Sequence, residues 1–112
     1  MEVKNYILGE WIAGRGTEIE FQNAINGETF GSCSSEGLEY GAILDYGRNK
    51  GSNALRKMTF QQRGEMLKSL ALHLHKIKDG FYELSKASGA TRVDSWIDIE
   101  GGIGNLFANA SL

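Results

Sequence analysis

The stretch from Thr59 to Leu84 constrains this chain more than any other. Leu67, Leu70, Leu74, Ile77, Phe81 and Leu84 recur at intervals of three and four residues, the period that lines one face of an α-helix. Its start is marked by Thr59-Phe60-Gln61-Gln62. That is the form of a capping box, in which the Thr hydroxyl and the Gln amide each satisfy an unpaired backbone donor. An apolar stripe this long demands a surface to pack against. Asp79-Gly80 is placed to kink or divide the helix, and Gly89 to end it.

Upstream of that helix the periods differ. Residues 6–33 read as β. "YILGEWI" holds two short apolar pieces around Leu8-Gly9-Glu10, which suits a tight hairpin, and Ile19 and Phe21 alternate with Glu18, Glu20 and Gln22. Asn26-Gly27 predicts a type I′ turn returning a strand over about Glu28 to Cys33. From Ser34 the period becomes helical. Ser34 or Ser35 can cap a helix with Leu38, Ile43 and Tyr46 inward, weakened by Gly41, Gly47 and Gly51. The expected fold class is α+β within one unit, 1–112: antiparallel strands or hairpins over 6–33, then three to four helices over 34–112.

Composition narrows the function classes. A chain of 112 residues fits one domain, and its apolar and charged fractions of 41% and 23% exclude disorder. A net charge of −2 gives no basic footprint for nucleic acid or an anionic membrane. No apolar run approaches the roughly 18 residues of a membrane span. The single cysteine cannot form an internal disulfide, and no signal peptide precedes the first strand-like segment, so a soluble, cytoplasmic chain is expected. The ending "NLFANASL" stays apolar and helix-compatible with no stop signal, so Leu112 reads as a cut point inside a longer protein.

The candidate sites are few. In "IEGGIGNLF", residues 99–107, the glycines suggest a dinucleotide loop. Starting from Gly102, however, Phe107 falls where that fingerprint needs a small residue. A helix fits better, with Asp94 or Ser95 as N-cap and Trp96, Ile99, Ile103, Leu106 or Phe107, and Ala110 facing inward. Gly101, Gly102 and Gly104 would each cost such a helix about 1 kcal/mol relative to Ala, so they call for close approach of a backbone or a ligand.

Cys33 could be a nucleophile, but no base lies near it and it reads as a small buried hydrophobe. His73 and His75, two apart on a helix, point in different directions and cannot share a metal. Asp94, Asp98 and Glu100 could draw a cation, or serve the start of the last helix. Arg63 anchors a neighbouring carboxylate or backbone carbonyl rather than a substrate. Nothing here assembles a nucleophile, a base and an oxyanion hole.

The order of signals resembles the N-terminal region of the aldehyde dehydrogenase superfamily: a strand pair, an "N-P-A-T-G-E"-like turn and helices leading to a coenzyme domain. Here the turn is Asn23-Ala24-Ile25-Asn26-Gly27-Glu28, with Ala24 in place of the usual proline. "SSEGLEYGAIL", "KGSNALRKMTFQQRGEMLKSLALHL" and "FYELSKASGATRVDSWIDIEGGIGNLF" are more closely similar to the bifunctional ring-opening enzymes of phenylacetate degradation. The most specific part runs from Gly89-Ala90-Thr91-Arg92 to Gly101-Gly102-Ile103-Gly104.

That resemblance implies an aldehyde dehydrogenase-like α/β fold, of which this chain is the N-terminal segment. It implies an NADP-dependent parent acting on a CoA-linked semialdehyde, fused to a MaoC-like, hot-dog hydratase domain that opens oxepin-CoA. The family's catalytic cysteine, glutamate and coenzyme loop lie beyond Leu112, so no catalytic, cofactor-binding or metal residue is carried onto this chain, and Cys33 does not match the catalytic context. Gly101, Gly102 and Asn105 would border the substrate entrance. The implied partners are the rest of the dehydrogenase domain and further copies in a homo-oligomer. The alternative is a self-contained helical interaction or scaffold module.

Overall fold

A computed structural model describes residues 1–112. They form two compact units, Met1–Arg56 and Lys57–Leu112, each described by itself.

In the first unit, β1 (Glu2–Val3) lies parallel to β5 (Thr29–Cys33), and β4 (Ile19–Gln22) lies antiparallel on the other side of β5. A separate hairpin joins β2 (Asn5–Ile7) to β3 (Glu10–Ile12). Its turn meets the type I′ requirement, with Leu8 at φ 55° and Gly9 at φ 87°. Leucine is poorly suited to that region. The opposed Tyr6 and Trp11 rings, 5.1 Å apart, help to hold the pairing. Asn5 Nδ2 donates to the carbonyls of Ile12 and Ser34, tying the hairpin to the chain beyond β5.

Three expectations for this unit need correction. The strands are not all antiparallel, because β1, which precedes residue 6, pairs parallel with β5. Two residues carry no readable period, and the pairing brings Met1 close against Gly31, where a side chain would meet the Met1 carbonyl at 2.7 Å. The Asn26-Gly27 turn is not a two-residue type I′ turn. Only Gly27 has positive φ, and the loop spans Asn23 to Glu28, closed by Asn23 N donating to the Glu28 carbonyl. The Asn23 and Asn26 side chains accept from the N–H groups of Ile25 and Glu28, an alternative the Asn-Gly signal does not reveal. Neither Ser34 nor Ser35 caps a helix. Ser34 is buried and accepts from Glu36 N, and α1 (Tyr40–Tyr46) begins after Glu39 with no side-chain cap. Leu38, Ile43 and Tyr46 are partly buried, as their spacing predicts. Gly47–Gly51 is wound as a wide π turn leading into α2 (Ser52–Arg56).

The second unit is a pair of helices, α3 (Phe60–Ala87) and α4 (Arg92–Ala110). The capping box forms as expected: Gln62 N donates to Thr59 Oγ1, and Thr59 N donates to the Gln62 side chain. Gly89, at φ 81°, ends α3. Asp79-Gly80 does not divide the helix; packing along the whole length outweighs a local glycine cost of about 1 kcal/mol.

The buried seam is narrower than the stripe predicted. Ala71 is wholly buried and Ile103 is 6% exposed, with Leu67, Leu74, Phe81, Ile99, Leu106 and Phe107 partly covered beside them. Leu70, Ile77 and Leu84 stay exposed. One partner helix covers only one strip of α3. The small side chain of Ala71 centres that strip and lets the helices approach closely.

Candidate functional site

The sequence directs attention to α4. Its N-cap is Thr91, three or four residues earlier than Asp94 or Ser95. Thr91 Oγ1 accepts from Asp94 N at 3.2 Å and donates to Asp94 Oδ2 at 2.6 Å. Asp94 is therefore the acid of the first turn, favoured by the helix dipole. Ser95 is buried; its hydroxyl donates to the Thr91 carbonyl and lies 2.8 Å from Ser85 Oγ of α3. Trp96 was expected inward but is 58% exposed, since the seam passes through Ser95 and Ile99 instead. The residues of "IEGGIGNLF" are helical throughout, so no dinucleotide loop is present.

Gly101, Gly102 and Gly104 lie on the uncovered side of α4, and a Cβ at any of them would meet nothing within 4 Å. No close backbone within the chain accounts for these glycines. Asn105 is exposed beside them, and both its backbone carbonyl and its side-chain oxygen accept from Asn109 Nδ2. Gly101, Gly102 and Asn105 thus share an open surface, with the exposed Asp98 one turn before the glycines on the same helix face. It offers room, and no reactive group.

A charged cluster between the two helices is not legible in the sequence. Lys78 Nζ donates to Glu100 Oε1 at 2.5 Å, and Tyr82 Oη donates to the same oxygen at 3.4 Å. The two charged side chains are 26% and 24% exposed. The Lys78 hydrogen bond is the main cause holding the Glu100 carboxyl below its ordinary pKa, against the opposing effect of desolvation. The same bond holds Lys78 above its ordinary value, and desolvation raises Tyr82. Lys78 and Tyr82 stand at i and i+4 on one helix face, but their partner lies 18 to 22 residues away. The cluster clamps α3 to α4. With its charges already paired, it presents no free acid or base.

The other candidates stay apart. Cys33, partly buried, ends β5 opposite Ile19 and Val3. His73 and His75 are both exposed on α3. Asp98 is exposed, while Asp94 and Glu100 are engaged as described. Arg63 reaches a backbone carbonyl, that of Met58, at 3.4 Å, and no carboxylate.

The chain is 31% identical, over 104 residues, to the 3,4-dehydroadipyl-CoA semialdehyde dehydrogenase of Aromatoleum evansii. The match covers 92% of this chain and 20% of that protein. The chain therefore spans about a fifth of the length of the curated relative it matches, and is related in sequence to part of a dehydrogenase. No family model matches the sequence. No helix is long and apolar enough to cross a membrane.

Proposed function

We propose that this chain is the N-terminal portion of an NADP-dependent aldehyde dehydrogenase that oxidises a CoA-linked semialdehyde in aromatic catabolism. The similarity running along 92% of its length carries this reading. The kinship with the bifunctional ring-opening enzymes of phenylacetate degradation belongs to the same proposal, as does a cytoplasmic location.

In this role the chain supplies support and an entrance wall; the nucleophile, the base and the coenzyme site belong to the remainder of the dehydrogenase. That remainder is its principal partner, within a homo-oligomer. Gly101, Gly102 and Asn105 border the substrate entrance. The open space around the two glycines leaves room for a bulky CoA ester.

The test is a chimera in which this chain replaces the matching segment of the Aromatoleum evansii dehydrogenase. Folded chimera should reduce the coenzyme in the presence of the CoA semialdehyde, and Gly102→Leu should raise KM for that substrate more than for a small aldehyde. A folded but inactive chimera refutes the dehydrogenase reading. Equal KM effects on both aldehydes refute the entrance role.

The exposed Trp11, Phe60 and Ile97 side chains also suit an interaction module. A module should be monomeric alone and unfold cooperatively. A dehydrogenase portion should bind ANS or self-associate.

A further inference from the structure

Asn26 is the only asparagine of the chain that precedes a glycine, and it stands exposed in the Asn23–Glu28 loop between β4 and β5. That pair of residues carries a chemistry of its own. A backbone nitrogen can close a five-membered ring on the side-chain carbonyl carbon of the asparagine before it. A Cβ on the following residue hinders this approach, and glycine has none. Nothing lies within 4 Å of where a Gly27 Cβ would stand, so packing does not shield the reacting groups.

Hydrogen bonds within the loop are what hold them. Gly27 N, the nucleophile, donates to the Asn23 carbonyl at 2.7 Å. Asn26 Nδ2, the leaving group, donates to Glu28 Oε2 at 2.9 Å, and Asn26 Oδ1 accepts from Glu28 N at 3.1 Å. Both contacts with Glu28 are exposed to water, where one hydrogen bond restrains only weakly. Loops held in this way open locally and reclose. The related pair Asp79-Gly80 lies inside α3, where the helical ladder holds the Gly80 N–H and fixed dihedrals keep the ring from closing.

We propose that Asn26 is a site of spontaneous deamidation, restrained in the intact loop by the Glu28 carboxylate. Gly27 N loses its proton to solvent base and attacks Asn26 Cγ. The N–Cγ bond forms as the Cγ–Nδ2 bond breaks, and Nδ2 takes a proton from water and leaves as ammonia. Water then opens the cyclic imide, with nothing oxidised or reduced. Cleavage of the new N–Cγ bond gives aspartate. Cleavage between the residue 26 carbonyl carbon and Gly27 N gives isoaspartate, in which the backbone runs through the side chain. Aspartate sets a carboxylate against Glu28 where an amide donated before. Isoaspartate lengthens a loop that Asn23 N closes on the Glu28 carbonyl at 2.8 Å. The site does not rest on the dehydrogenase reading.

The test is incubation of the chain in mildly alkaline buffer, followed by mass spectrometry of the fragment containing residue 26 and by isoaspartyl methyltransferase labelling. Acid should accumulate at residue 26 ahead of every other asparagine, and more slowly than in a synthetic peptide of residues 19–33. Glu28→Ala should speed the conversion by about fivefold, the weight of one hydrogen bond. Glu28→Gln, which keeps an acceptor, should change it less. Should Glu28→Ala fail to fold, the native chain measured against the peptide still decides whether the loop restrains the reaction. The proposal is overturned if the amide at residue 26 survives where the peptide is fully converted, or if another asparagine converts as fast. It is also overturned if chain and peptide convert at one rate, or if folded Glu28→Ala matches the native chain.

Discussion

Replacing Gly101, Gly102 and Gly104 together by alanine should stabilise the isolated chain. All three are helical, and an added Cβ at each meets nothing within 4 Å, so no steric cost opposes the gain in helix propensity. Glycine is worse than alanine by about 0.8–1.0 kcal/mol in a helix interior, so the triple variant should gain about 2.5 kcal/mol. For a unit the size of Lys57–Leu112, that raises Tm by roughly 15 °C. Thermal unfolding followed by far-UV circular dichroism at several protein concentrations measures it. Gly64→Ala is the control of opposite sign. Its Cβ would lie 2.8 Å from the Ala110 carbonyl, a backbone group that cannot swing away, so the helices must part at a cost of about 1–3 kcal/mol. A triple variant no more stable than the parent would refute the reasoning, since it would mean that the glycine surface is already covered in solution.

Ile103→Ala, at the best-buried large side chain, should cost about 2–4 kcal/mol, seen as a lower urea midpoint; a loss under 1 kcal/mol would show that the seam collapses around the gap. Thr59→Ala removes the reciprocal cap of α3 and should cost about 1 kcal/mol, whereas Thr59→Ser should retain most of it. The Glu100 clamp predicts a pH window. Because its folded pKa lies below the ordinary glutamate value of 4.5, its contribution is present above that value and lost as pH falls through the folded pKa. Lys78, raised from 10.5, loses its contribution as pH rises through its folded pKa. Wild-type and Glu100→Gln urea midpoints should therefore differ at neutral pH and converge in strong acid; a constant gap would show that the ion pair contributes nothing.

Local signals were legible where donor and acceptor sit within a few residues. The Thr59 capping box, the Leu8-Gly9 turn and the Gly89 stop each declare themselves within four positions. So did the helical character of residues 99–107, because Ile99 and Ile103 keep its period despite three glycines. What was missed depends on distant chain. The parallel β1–β5 pairing joins residues about 30 apart, and the Lys78–Glu100 bond joins two helices. The outward turn of Leu70, Ile77 and Leu84 reflects how many partners cover α3, which its own period cannot state. At the α4 surface the spacing located the glycines. Their openness, and the unpaired state of Arg63, needed coordinates.

The π turn at Gly47–Gly51 gives this stretch a tolerance for changes of length. A π turn holds about one residue more than an α turn, so one extra residue is accommodated there without breaking the helix. Removing one residue between Gly47 and Gly51 and restoring plain α winding would leave the helix axis nearly unturned, because five residues wound as π rotate the chain about as far as four wound as α. The side chains of Ser52–Arg56 would keep the face they present now. A single-residue deletion at this glycine-flanked step should therefore be absorbed locally, where the same deletion in the middle of α3 would turn every later side chain by about 100°.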